Sequence, residues 1–176
     1  VVPGLAEDWT FDKKTNTYTF KLREGLTFHD GEPLTSEDVK FTLEAILNPD
    51  NGSEIISNYT DIETIECPDE LTVKIKLSQP NVAFPDYMTI GILPKHILEG
   101  EDLATCDFNR NPVGAGPYRL TDWDMGQSIT MESFDNYYGG EPDIEKVIFK
   151  IVPDTDARAM QLAAGEIDMA QITAKT

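Results

Sequence analysis

The sequence predicts a mixed α+β fold, and three observations carry the prediction. Tyr18, Phe20 and Leu22, then Val73, Ile75 and Leu77, alternate with polar neighbours at the two-residue period of half-buried strands. Residues 118–123 and 128–133 repeat that alternation further along. Between the first two of these strands, Val39, Leu43, Ile46 and Leu47 recur at helical spacing, so both kinds of element share one chain.

Taken in order, residues 5–9 lead to a turn around 12–16, and residues 17–22 form the first clear strand. Glu24-Gly25 and Asp30-Gly31 mark two further turns around an extended Leu26-Thr27-Phe28, which indicates a hairpin-rich start. Thr35-Ser36-Glu37-Asp38 opens a helix: a hydroxyl stands ready to cap free amides, and acids face the positive end of the dipole. Asn48-Pro49 closes it, because the residue before proline resists the α region. Residues 55–59 read as a short helical or irregular segment. Residues 61–67 and 71–77 read as a hairpin turning at Pro68-Asp69-Glu70. A short helix over 82–88 is expected to be interrupted by Pro85, followed by an apolar extended run to Pro94 and one helical turn at 95–99.

Asn111-Pro112-Val113-Gly114-Ala115-Gly116-Pro117-Tyr118 is the stretch around which the chain is arranged. Two glycines bracketed by prolines call for a sharp turn before the chain extends, since glycine tolerates positive φ and proline fixes its own. No third glycine follows at dinucleotide spacing, and no Gly-Lys-Ser/Thr ending occurs, so phosphate cradling is not expected. Residues 146–152 are an apolar run suited to a buried strand. Asp154 caps a final helix through Ala157, Met160, Leu162 and Ala164, with Gly165 suited to end it, and residues 167–170 begin another strand. A division into two subdomains is expected between Pro94 and Asn111, where apolar periodicity lapses into acidic loop residues.

With 176 residues the chain holds one sizeable core or two small ones. A net charge of −18 opposes binding to nucleic acid, which needs lysine and arginine clusters. No run approaches the ~20 apolar residues that span a bilayer. There is no initiator Met or leader, and the chain reads as cut at both ends. Cys67 and Cys106 are too few for a disulfide framework and read as two separate thiols. His29 and His96 lie in separate turn-like settings, and no metal or cofactor site is expected from their spacing.

Several blocks in order carry a family resemblance: Leu5-Ala6-Glu7-Asp8-Trp9, residues 18–31 ending Phe28-His29-Asp30-Gly31, residues 33–39, Pro94-Lys95, residues 111–118, Asn136-Tyr137-Tyr138-Gly139-Gly140, and Ala163-Ala164-Gly165-Glu166-Ile167-Asp168. Together they resemble the family 5 solute-binding proteins of ABC importers, the peptide, dipeptide and nickel type. The resemblance covers nearly the whole chain and is weakest over residues 50–61 and 82–92. It implies a β-rich part of a type II periplasmic-binding-protein-like lobe. Residues 1–94 would form an extra β-rich subdomain, and 95–176 the returning sheet and helix of the first lobe. An N-terminal strand and a second lobe that the family pattern requires are not in the chain.

By that resemblance the cleft side falls just after Asp168, at Gln171, Ile172 and Thr173. Ile55 and Tyr59 of the variable loop, and Met88, Thr89 and Ile90 of the extended run, are the further ligand-binding candidates. The implied role is capture of a short peptide or similar solute outside the cytoplasm, in the periplasm or at the cell surface through a lipid anchor, and delivery to an ABC permease. No catalytic residue is expected, because neither histidine lies in a recognisable Ser/His/Asp pattern. Glu166 and Asp168 could mimic a glycosidase pair but suit a structural role beside a turn. The alternatives are a nickel-type or haem carrier and, behind that, a hydrolase. Exposed sheet edge or lobe surface is expected to invite self-association.

Overall fold

A computed structural model describes residues 2–172 of the chain. Its strands fall into two antiparallel sheets. The first contains β1 (Ala6–Asp12), β2 (Thr17–Leu22), β3 (Ile62–Asp69) and β4 (Thr72–Leu77) in the order β1-β2-β4-β3. The second contains β5 (Tyr118–Asp124), β6 (Ser128–Ser133) and β7 (Lys146–Lys150), side by side in chain order.

The alternation at β2 and β4 puts one apolar row on one face. Tyr18 pairs with Ile75 and Phe20 with Val73, and all four are buried with Leu22 and Leu77. The helix α1 (Ser36–Leu47) covers that row with Val39, Leu43 and Ile46. Burying each such side chain contributes about 1.5–3 kcal/mol, which makes this layer the core of the described chain. Asp38, three residues into α1 from Thr35, completes a capping box by accepting the Thr35 N–H at 2.8 Å. Its other oxygen accepts the Lys95 N–H at 2.9 Å, so the same buried carboxylate ties α1 to α3 (Lys95–Leu98).

Several boundaries differ from expectation for identifiable reasons. β3 runs through Pro68 to Asp69, and the hairpin turns at Glu70-Leu71 instead; proline is tolerated because β3 is an outer strand with an irregular register there. Pro85 does not interrupt α2 (Phe84–Tyr87) but sits in its first turn, where a missing N–H costs nothing. Residues 55–59 contain a short 3₁₀ turn at Ile56–Asn58.

Gly114 and Gly116 are needed for a reason other than the expected one, since neither adopts a positive φ. A β-carbon on Gly114 would stand 3.3 Å from His29 Cε1, so glycine admits the imidazole. His29 donates its own N–H to the Gly114 carbonyl at 2.8 Å, and its Nδ1 accepts the Gly114 N–H at 3.2 Å. Nε2 lies 3.0 Å from the Gly116 carbonyl oxygen. The ring thus clasps the segment that leads into the second sheet, with its edge against Phe134.

The second sheet departs further. Residues 146–152 were expected to be buried, yet Ile148 is 60% exposed and Phe149 55%. Among the described residues β6 is the strand partner of β7, and no apolar layer covers the exposed face. The helix α4 (Thr155–Ala164) is capped by Asp154, which accepts the Ala157 N–H, and ends at Gly165 in the left-handed conformation. The strand expected from residue 167 does not form: residues 167–172 have no regular structure and no partner among the described strands. Glu166 and Asp168 therefore share no strand face.

Candidate functional site

The sequence-derived site residues separate into three places. Met88, Thr89 and Ile90 converge on one pocket of about 210 Å³ at the rim of the core, beside β1. Ile55 lies on the exposed loop before the 3₁₀ turn, 40% accessible, and does not line that pocket. Gln171 and Ile172 are exposed beyond α4, and Thr173 lies outside the described residues.

Tyr59 lies behind the pocket. It is 1% exposed, packs edge-on to Phe84, and donates its hydroxyl to the Tyr87 carbonyl, so it anchors the run that continues through Met88. Burial pushes the Tyr59 hydroxyl up from its usual pKa, as expected for a phenol that acts only as a neutral donor.

The remaining wall comes from residues that strand patterning could not distinguish from core. Trp9 and Phe20 are register partners on β1 and β2, with ring centroids 6.5 Å apart, and both face the pocket. Val2, Gly4, Leu5, Ala6, Pro85 and Ile92 complete it. The alternation of β2 put Phe20 on the apolar face, but only the fold shows that β1 leaves the rim beside it open. No ionisable side chain lines this pocket.

A second, larger trough of about 430 Å³ crosses the other face of the first sheet, over Thr10, Thr17, Thr19, Thr64, Lys74 and Lys76 among others. Its cations have local partners: Lys76 Nζ is 2.6 Å from Glu63, and Lys74 stands opposite Glu66 in the sheet. It is a solvated sheet face.

Among the described residues no group of three or more His, Cys, Asp or Glu side chains is placed to hold a metal ion. His29 is engaged by the backbone at Gly114 and Gly116, and His96 by Asp30 at 2.8 Å. Desolvation pushes the Asp30 carboxyl up, but the His96 hydrogen bond and the Glu32 N–H outweigh it and hold the carboxyl below its usual value. Cys67 and Cys106 are both free thiols. No helix among the described residues is long and apolar enough to cross a membrane.

The chain is 36% identical over 163 residues to the oligopeptide-binding protein AppA of Bacillus subtilis, which covers 89% of this chain and 30% of that protein. The solved structure of AppA in complex with a nonapeptide matches with a TM-score of 0.89 at 35% identity, over 93% of this chain and 34% of its own. NikZ from Campylobacter jejuni, solved in complex with Ni(L-His), matches with a TM-score of 0.90 at 38% identity, over 94% of this chain and 34% of its own. The chain therefore spans about a third of the length of these relatives. The family model of bacterial extracellular solute-binding proteins, family 5 middle, matches residues 1–176, and it is to that family that the chain belongs.

Proposed function

We propose that this chain forms part of the first lobe of an extracytoplasmic receptor that captures a short peptide or similar solute and delivers it to an ABC permease. The observation that carries the reading is the likeness to AppA bound to a nonapeptide, at 35% identity over 93% of the chain. Residues 1–94 would be the extra β-rich subdomain, and 95–176 the returning part of the lobe. The mechanism is non-covalent: closure of two lobes buries the ligand, and backbone donors and acceptors hold it. Catalysis is not part of the reading, because the pocket offers no ionisable group to act as acid, base or nucleophile. The receptor works in the periplasm or at the cell surface. Gln171 and Ile172 would face the cleft from beyond α4, with Ile55 at its variable rim.

A second reading, transport of a nickel complex, is favoured by the likeness to NikZ. Elemental analysis of the purified receptor separates the two. Calorimetry with a mixed peptide pool tests the first: the intact receptor gives saturable heat, whereas the 176-residue chain alone binds at millimolar strength at best. An intact receptor that binds no peptide overturns the reading. Micromolar or tighter binding by the chain alone overturns the shared cleft.

A further inference from the structure

We infer that the clasp of His29 on Gly114 and Gly116 is an acid-sensitive latch: protonation of the imidazole frees Gly114 and loosens the junction between the two sheets. The inference goes beyond solute capture and does not rest on it.

The backbone fixes where the ring carries its hydrogen. The Gly114 N–H can only donate, and it lies 3.2 Å from Nδ1, so Nδ1 is the bare acceptor nitrogen. The Gly116 carbonyl can only accept, so Nε2, 3.0 Å from its oxygen, carries the hydrogen and donates it. The neutral ring meets both demands. A second proton has one place to go, Nδ1, where it would point at the Gly114 N–H. Two donors then face each other while the Nε2 bond is kept, so the imidazolium is rejected at the Gly114 end alone.

The fit is too tight for a small adjustment. A β-carbon on Gly114 would already stand 3.3 Å from Cε1, and Phe134 meets the ring edge-on with centroids 5.0 Å apart. Relief therefore requires the ring or the segment around Gly114 to move away. The His29 backbone N–H, which donates to the Gly114 carbonyl at 2.8 Å, remains as the pivot.

The surrounding charges are engaged elsewhere or exposed. Residues 113–117 carry no ionisable side chain. In the turn that holds His29, Asp30 is bonded to His96 of α3 at 2.8 Å, and Glu32 is exposed. Beside Phe134, Glu132 pairs with Lys146 at 3.4 Å, and Asp135 is exposed. On α3, Lys95 pairs with Glu37 at 3.2 Å. His96 is the chain's other histidine, and its partner is a carboxylate and not an N–H. A protonated His96 still donates to that carboxylate, so acid leaves the contact in place. The two histidines thus respond differently to the same proton, and the difference lies in what each ring faces.

The experiment takes the ¹⁵N-labelled 176-residue chain from about pH 7.5 to about pH 5, the span in which imidazoles change charge. At the upper end the ring nitrogens of His29 should show the hydrogen on Nε2. As the ring titrates, the Gly114 amide resonance should move with the same midpoint, and its protection from exchange, corrected for pH, should fall by about tenfold, as the loss of one hydrogen bond would give. Amides of Tyr18–Leu22 in β2 should keep their protection. His96→Gln should leave the transition in place. His29→Gln, whose neutral side chain both donates and accepts, should abolish it at Gly114. The inference is overturned if the hydrogen sits on Nδ1, if Gly114 does not follow the His29 ring, if the transition disappears in His96→Gln, or if β2 loses protection in step with Gly114. Should His29→Gln fail to fold, the ring spectrum and the His96→Gln variant decide between these outcomes.

Discussion

The two sheets are built from similar alternating strands and end in opposite states. In the first, Val73 and Ile75 are wholly buried beneath α1, and Phe28, Leu43 and Phe84 close the same layer. In the second, Ile148 and Phe149 are more than half exposed, and β6 is intermediate in burial throughout. Apolar alternation specifies that a strand has a face to bury, but burial needs a second layer, and among the described residues only the first sheet has one.

The largest effect expected from that contrast is on stability. Ile75→Ala should cost about 2–5 kcal/mol in denaturant unfolding, because it opens a cavity in a packed layer. Ile148→Ala, on the exposed sheet, should cost less than about 1 kcal/mol in the same assay. Equal losses would show that the second sheet has a core of its own.

The link between the sheets comes next. His29→Ala removes the ring bonds to Gly114 and Gly116 and should cost about 1–3 kcal/mol, read as a shift in unfolding midpoint. Amide exchange should quicken around residues 113–117 more than in β2 or β4. Uniform quickening would mean that His29 supports the whole core and not this junction.

Exposed apolar surface sharpens the comparison in a second way. The chain is expected to self-associate at high concentration through β7, and Ile148→Thr combined with Phe149→Ser should shift light scattering toward the monomer. A strictly monomeric parent chain would contradict this.

The smallest effect is electrostatic. The folded-state pKa of Asp30 is depressed below its unfolded value, so its contribution is present above about pH 4 and is lost as pH falls through the lowered folded value. Its pair with His96 is partly exposed, so Asp30→Asn should cost at most about 1 kcal/mol near neutrality. The difference from the parent should vanish at acid pH. A difference that grows on acidification would reverse the assignment.

How much of this was legible beforehand follows from the range of each interaction. The strands at Tyr18–Leu22 and Val73–Leu77, the helix opened by Thr35 and the helix capped by Asp154 are written in local periodicity and capping, and they form. Gly114 stands out in the sequence, but its cause does not, because the His29 imidazole that requires it lies 85 residues away. The exposure of Phe149 and the failure of residues 167–170 to pair were likewise hidden, since each depends on a neighbouring layer or strand and not on its own pattern. At the candidate site, Met88, Thr89 and Ile90 were named from family likeness, whereas Trp9 and Phe20 became visible only when register placed them beside that run.

The account rests on this chain supplying one wall of a cleft that holds peptide without chemistry. A native mass spectrum of the intact receptor, purified without added ligand, tests it most directly. The account predicts adducts whose masses resolve into short peptides on gentle activation. Adducts of nickel complexes or haem, or turnover of added peptides into smaller products, would contradict it.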